Sequence, residues 1–178
     1  MRHFLFAAAA LAAFATPAVA ETIAITGGRV VVGDGTAPID GGTVIIRDGN
    51  VIAAAASVAV PADARRIDAK GKWVTPGVFA GFTRLGLSEV DAVKGTNDKS
   101  GGKSGFSAAI DVAPAIDPFR SPFAVNRAAG VTRAVVAPEA AESIFAGQGA
   151  IADLGADSNP VTRARAFQFA EFGEDGSA

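Results

Sequence analysis

The sequence predicts an α/β fold in which a small antiparallel β-unit precedes strands that are joined by a crossover. Short alternating apolar stretches separated by Gly and Asp turns fill residues 21–75, which is the pattern of paired strands with tight turns. Two apolar, strand-like runs, residues 78–82 and 131–136, then flank a long connection with a predicted helix. Strand, helical connection and strand together indicate a βαβ unit.

The clearest element of the first part is a hairpin. Asp48-Gly49 separates the apolar runs 43–47 and 50–53, and Gly accepts the positive φ that the favoured two-residue turn requires. Residues 21–75 are therefore predicted to form one β-rich domain.

The character of the sequence changes after Pro76-Gly77. Residues 85–118 are rich in Gly, Ser, Ala, Asp and Lys and predict a long loop. Residues 119–129 suit a helix that stops at Gly130. Residues 143–154 are apolar and ambiguous, and residues 162–172 could form a second helix.

The first twenty residues predict a secretory signal peptide. Arg2 and His3 precede a short apolar run, and Ala18-Val19-Ala20 has the small residues of a cleavage site. A membrane anchor is the alternative, but the run is shorter than the roughly 20 apolar residues that span a bilayer. We expect cleavage after Ala20 and a periplasmic or secreted protein, with no membrane association once the signal is removed.

Composition excludes several function classes. The chain has 16 Lys and Arg and 18 Asp and Glu residues, and loss of Arg2 with the leader lowers the formal charge from −2 to −3. This mildly acidic balance offers no basic surface for nucleic acid. Cysteine is absent and His3 is the single histidine. The processed chain therefore lacks the residues for a Ser-His or Cys-His nucleophile pair and for a His-ligated zinc site.

Several stretches together resemble the opening part of the amidohydrolase superfamily, which includes imidazolonepropionase-like and dihydroorotase-like hydrolases. The most specific stretch is the ten residues from Asp68 to Gly77, which follow a hairpin-rich domain directly. It belongs to the matching stretch 67–77, and the other matching stretches are residues 28–35, 42–52, 129–132 and 147–150. The resemblance implies a TIM-like barrel that begins after residue 75. Residues 76–178 would then be the start of an incomplete barrel, since a complete one needs about 250 residues, and we expect a truncated or fragmentary form of a longer protein.

The sequence departs from this family at the metal site. In the family, the first barrel strand carries His-x-His, whose imidazoles bind one or two divalent metals, zinc among them. Phe82 and Arg84 occupy those positions here, around Thr83. Phe82 has no lone pair to donate and Arg84 is a permanent cation. We therefore expect no metal and no other cofactor in this chain, and the catalytic residues remain unknown.

Arg84 is the candidate ligand-binding residue. An arginine just after an apolar strand can hold a carboxylate or phosphate with two hydrogen bonds. The alternative is a structural ion pair with Glu89 or Asp91. Glu139 and Glu142 lie three residues apart, and we interpret them as solvated surface residues rather than a catalytic pair.

The resemblance implies an exported hydrolase of C–N bonds in amides, cyclic amides or small peptides, inactive or incomplete as this chain. The alternative is a non-catalytic periplasmic binding or scaffold protein that keeps the fold and binds an anionic solute at Arg84. The expected partners are a small-molecule substrate or solute, and open strand edges predict self-association.

Overall fold

The fold was analysed in a computed structural model that describes residues 21–102, 104–141 and 143–173. The predicted signal peptide and the predicted cleavage position at Ala20 lie outside these residues. The chain divides into two compact units, Met1–Pro76 and Gly77–Ala178. Within the described ranges, no helix is long and apolar enough to cross a membrane.

The first unit is one mixed sheet of five strands. They are β1 (Thr22–Val30), β2 (Ile39–Arg47), β3 (Asn50–Ala55), β4 (Arg65–Asp68) and β5 (Trp73–Val74). Their order is β3-β2-β1-β4, with β5 also paired to β1. The pairs β1–β2 and β2–β3 are antiparallel, whereas β4 and β5 run parallel to β1. The expected antiparallel unit is thus confirmed for three strands and wrong for the other two.

The predicted hairpin is confirmed. β2 and β3 pair with Arg47 opposite Asn50, which leaves Asp48 and Gly49 as the turn. Both residues have positive φ, 50° and 75°, which is the requirement of a type I′ turn. Asp tolerates this conformation and Gly adopts it without steric cost.

The second unit is a four-stranded mixed sheet with one α-helix. Its strands are β6 (Val78–Thr83), β7 (Val131–Val136), β8 (Phe145–Asp153) and β9 (Val161–Ala170), in that order across the sheet. β6 and β7 are parallel, and the later neighbours are antiparallel. The predicted crossover between residues 78–82 and 131–136 is therefore confirmed.

The connection between β6 and β7 contains short 3-10 turns at Lys94–Thr96 and Ala113–Ala115 and the helix α1 (Ser121–Ala128). The helix ends before Gly130, as predicted. Phe123 of α1 is fully buried and packs with apolar residues of the connection and of strands β7 and β8. This core cluster comprises Leu85, Leu87, Val112, Ile116, Phe123, Ala134, Val136, Ala150, Ala152 and Leu154.

The helix expected within residues 162–172 is wrong, because Val161–Ala170 is the strand β9. Ala and Arg favour helices in isolation, but Arg163, Arg165, Phe167 and Phe169 recur at every second position, and that is the strand period. The ambiguous residues 143–154 contain the strand β8. The described part of the chain is consequently richer in strand than the sequence predicts, and its two sheets are both mixed.

Candidate functional site at the ends of strands β6 and β7

The candidate site lies where the two parallel strands of the second unit end. Because β6 and β7 run in the same direction, their carboxyl ends meet at one edge of the sheet. The ladder continues one residue past β7, since the N–H of Ala137 donates at 2.9 Å to the carbonyl of Thr83, the last residue of β6. The Thr83 hydroxyl donates to the carbonyl of Val135 at 2.8 Å. These bonds fix the backbone immediately before Arg84 and before Glu139.

Arg84 and Glu139 are the centre of an ion-pair network. Arg84 Nε lies 3.4 Å from Glu139 Oε2, and Lys99 Nζ lies 3.1 Å from the same oxygen. Lys99 also pairs with Asp91 at 3.4 Å, and Arg84 Nη2 pairs with Glu171 at 3.4 Å. The side chains of Arg84 and Lys99 are 26% and 16% exposed. Ion pairs of this limited exposure are screened less by solvent than surface pairs.

The network changes the pKa of two of its members. A hydrogen bond to Glu139 raises the pKa of Lys99 above its ordinary value, against the opposing effect of burial. The pKa of Asp91 is lowered most by the Ser88 hydroxyl and next by the positive charge of Lys99. Lys99 Nζ lies 3.4 Å from Asp91, whereas the Ser88 hydroxyl makes no hydrogen bond of full geometry within the described residues. The arrangement keeps Lys99 protonated and Asp91 ionised at neutral pH.

Glu171 joins the site from the end of strand β9. Its Oε2 forms the ion pair with Arg84 and accepts a hydrogen bond of 3.1 Å from the backbone N–H of Ala140. The N–H of Glu171 donates to the carbonyl of Ile144 at 2.9 Å, which holds its backbone in place. One carboxylate oxygen of Glu171 therefore receives both a charged donor and a backbone donor.

Phe82 forms the apolar side of the site. The residue is 56% exposed, and the centroid of its ring lies 5.5 Å from the ring centroid of Phe169 on β9. The guanidinium carbon of Arg84 lies 5.4 Å from the Phe82 centroid, within the range of a cation–π contact. The two residues at the expected His-x-His positions thus contact each other.

A cavity of about 590 Å³ opens beside these residues. Its lining includes Phe82, Arg84, Ser88, Lys99, Asp91 and Glu89. Two cations and two carboxylates therefore face it, together with an aromatic ring. This lining can hold a small molecule that has both charged and apolar parts.

In the ranges 21–102, 104–141 and 143–173, no group of three or more His, Cys, Asp or Glu residues is placed to hold a metal ion. Phe82 has no donor atom, and the fixed charge of Arg84 opposes a cation. The expectation that this chain carries no metal stays a prediction.

The structure assigns other partners to Arg84 than the sequence suggests. Glu89 accepts hydrogen bonds from the backbone N–H of Ser121, at 2.8 Å, and from its hydroxyl at the start of α1. Asp91 pairs with Lys99. The predicted ion pair of Arg84 with Glu89 or Asp91 is therefore wrong, because Arg84 pairs with Glu139 and Glu171. Binding of a ligand by Arg84 stays a prediction.

Glu139 and Glu171 are site residues that the sequence does not reveal. Glu139 is predicted to be solvated surface, but it bridges Arg84 and Lys99. Its position three residues after β7, a strand parallel to β6, is the one signal that could place it beside Arg84. Glu142 lies outside the described residues. Glu171 belongs to the acidic end of the sequence, where nothing marks it as a partner of Arg84.

Comparison with solved structures identifies the fold. An amidohydrolase from Thermotoga maritima superposes with a TM-score of 0.74 at 22% identity, over 86% of this chain and 39% of that protein. Molinate hydrolase shares 38% identity over 38% of this chain and 15% of its own, with a TM-score of 0.35, which is too low to support an argument. No family profile matches the sequence, and no curated protein matches it.

The resemblance seen in the sequence is confirmed at the level of the fold. The chain spans about two fifths of the length of the Thermotoga protein, so the match concerns part of such a protein. The described residues share the fold of that part of the Thermotoga protein.

Proposed function

We propose that this chain corresponds to the opening part of an exported amidohydrolase-family protein and supplies fold and anchoring contacts instead of the first metal ligands. The fold likeness supports the lineage. The observation that carries the proposal is the composition of the edge where β6 and β7 end. There Arg84 and Lys99 are bound by carboxylates, and Phe82 takes the remaining ligand position.

The chemistry of that edge argues against activation of a metal-bound water by these residues. Hydrolysis of a C–N bond in this family would need a Lewis acid to lower the pKa of water. A guanidinium raises the cost of placing a second cation nearby, and Glu139 already pairs with two cations, Arg84 and Lys99, which leaves the three groups with a net positive charge. Residues outside this chain would have to provide the ligands for such a reaction, in the setting of a TIM-like barrel that we propose to begin at residue 76.

Metal analysis tests the proposal. We expect the purified processed chain to retain far less than about one zinc per molecule after dialysis, because carboxylates alone make weak sites for that ion. We also expect that adding zinc gives no hydrolysis of amide substrates. Stoichiometric zinc, or metal-dependent hydrolysis by this chain, would overturn the proposal.

Export is a separate part of the proposal. It is supported by the basic start, the short apolar run and the Ala18-Val19-Ala20 motif. N-terminal sequencing of material recovered from the producing cells should give Glu21 as the first residue. Retention of Met1 in exported material would contradict it.

The alternative function is binding of an anionic solute by Arg84. The aromatic and charged lining of the adjoining cavity favours it. It requires that a solute displaces Glu139 or Glu171 from the guanidinium, since both carboxylates lie within 3.4 Å of it. Ligand binding without any metal requirement would separate this function from hydrolysis.

A further inference from the structure

We propose that the edge of the sheet carries a receptor for a small monocarboxylate that bears an aryl or apolar group. The receptor consists of Arg84, the backbone N–H of Ala140 and the ring of Phe82, and the carboxylate of Glu171 occupies it as an internal ligand. The inference rests on the second proposed function and deepens it. It names the class of solute and the residue that competes with it.

The donor set around Glu171 is that of a carboxylate site. Glu171 Oε2 lies 3.4 Å from Arg84 Nη2 and 3.1 Å from the N–H of Ala140. A permanent cation and a fixed backbone donor that converge on one oxygen recognise an anionic acceptor, and neither can act as an acceptor itself. The Glu171 side chain is 32% exposed, so solvent reaches this contact and a solute can exchange with it.

The apolar half of the receptor is Phe82. The ring that covers it belongs to Phe169, two residues before Glu171, with centroids 5.5 Å apart. The end of β9 thus presents a carboxylate to Arg84 and an aromatic ring to Phe82 at the same time. A free aryl carboxylate would reproduce the contact with Arg84, and its ring would stack on the part of Phe82 that Phe169 leaves uncovered, since Phe82 is 56% exposed.

The charges of the cavity limit the solute to a single negative charge. Asp91 and Glu89 also line the cavity beside Arg84 and Lys99, and Glu139 remains bound between the two cations. A second negative charge on the solute would meet these carboxylates and be repelled. Arg84 and Phe82, two of the three receptor residues, line this cavity of about 590 Å³, which can take the apolar group of a molecule such as 3-phenylpropionate.

Glu171 and the solute exclude each other because both need the same two donors. The intact chain holds Glu171 at a high effective concentration, which weakens the apparent affinity for a free carboxylate. Removal of the Glu171 carboxylate leaves Arg84 and Ala140 available while the fold is kept by the strand pairing of β8 and β9.

The test is a calorimetric titration of 3-phenylpropionate into the full chain and into E171A, which measures the affinity of each protein for the solute. We expect E171A to bind about tenfold more tightly than the wild type, and R84M in the E171A background to lose that gain. E171Q is a second variant that removes the charge but keeps an oxygen for Ala140, and it should show a smaller gain than E171A. Thermal unfolding of each variant shows that it is folded.

A folded E171A or E171Q with no gain in affinity would refute the internal-ligand inference. A gain that survives R84M would refute the receptor as built here. Inorganic phosphate is the control ligand, and its affinity for E171A should not exceed its affinity for the wild type. A gain in phosphate affinity as large as that of 3-phenylpropionate would contradict the assignment to apolar monocarboxylates. None of these outcomes bears on zinc content, so failure here leaves the proposed lineage and its metal test untouched.

Discussion

The guanidinium of Arg84 and the carboxylate of Glu171 lie 3.4 Å apart although 87 residues separate them in the sequence. Arg84 follows β6 and Glu171 follows β9, the two outer strands of the sheet. The rings of Phe82 and Phe169 meet at the same ends. Side chains therefore link the carboxyl ends of the two outer strands, which are not neighbours in the hydrogen-bonded order of the sheet.

The first prediction concerns the contribution of this link to stability. Arg84→Met removes the pairs to Glu139 and Glu171 and should lower the free energy of unfolding by about 1–2 kcal/mol, since partly buried carboxylates lose their charged partner. The matched control is Arg133→Met. Its ion pair with Asp153 spans 3.7 Å and its side chain is 63% exposed, so the loss should be below about 0.5 kcal/mol. Denaturant unfolding of both variants measures the difference, and equal losses would show that the network is energetically no different from surface pairs.

A second prediction concerns Gly149 of β8. A Cβ atom at this position would overlap the ring of Phe167, which lies directly across on β9. Gly149→Ala must displace that ring and should cost about 1–3 kcal/mol of unfolding free energy. Gly81→Ala in β6 is the control, because nothing lies within 4 Å of its added Cβ. The two substitutions are compared by thermal and denaturant unfolding, and an undiminished stability of Gly149→Ala would mean that Phe167 can move aside freely.

A third prediction is a pH dependence centred on Asp111. Burial raises the pKa of its carboxyl, but the hydrogen bonds from the Ala113 N–H and from Arg165 outweigh burial and lower the pKa below its usual 3.8. The Arg165 Nε lies 2.9 Å from Asp111 Oδ2. A carboxyl with a lowered folded-state pKa contributes stability above its unfolded pKa, and the contribution disappears as the pH falls through the folded pKa.

Asp111→Asn should therefore be less stable than the wild type by about 1 kcal/mol near neutral pH, and the gap should close as the pH falls below 3.8 and through the lowered folded-state pKa of Asp111. Arg165→Met removes one of the two donors and should give a smaller effect with the same pH trend. Urea unfolding at a series of pH values measures the gap. A difference that is constant from neutral to acid pH would exclude Asp111 as its source.

Local chemistry decided which elements could be predicted from the sequence. The hairpin at Asp48 and Gly49 depends on two turn residues and their flanking strands, so its signal is contained within a few positions. The helix before Gly130 is likewise marked by its own stop residue. The strand β9 does not follow from local signals, because helix-favouring Ala and Arg residues obscure its alternation and its pairing with β8 determines its conformation.

The site could be located only in part. Arg84 stands out because it follows an apolar strand and occupies a position where the resemblance implies a metal ligand. Its partners could not be inferred, since Glu139 and Glu171 reach it through the parallel pairing of β6 with β7 and through the end of β9. Such contacts depend on the order of strands in the sheet, which the sequence does not encode locally.

The last prediction is self-association through the outer strand β6. Phe79 is 52% exposed on this strand, and Val78 beside it is also exposed. An outer strand presents unpaired N–H and C=O groups that can recruit another chain, and exposed apolar side chains strengthen the contact. A formal charge of −2 for the sequence gives little repulsion. We expect the processed chain to sediment as a concentration-dependent mixture of monomer and larger species.

Phe79→Lys should shift this mixture toward monomer, because a lysine on an outer strand opposes pairing with a second edge. Phe172→Lys adds the same charge at a residue that is 85% exposed but lies outside the strands, so it separates the effect of the edge from that of net charge. Sedimentation velocity over a range of concentrations distinguishes them. Equal dissociation by both variants would assign the effect to charge alone. A wild type that is monodisperse and monomeric, with a sharp reversible unfolding transition, would refute self-association and favour the binding-protein function.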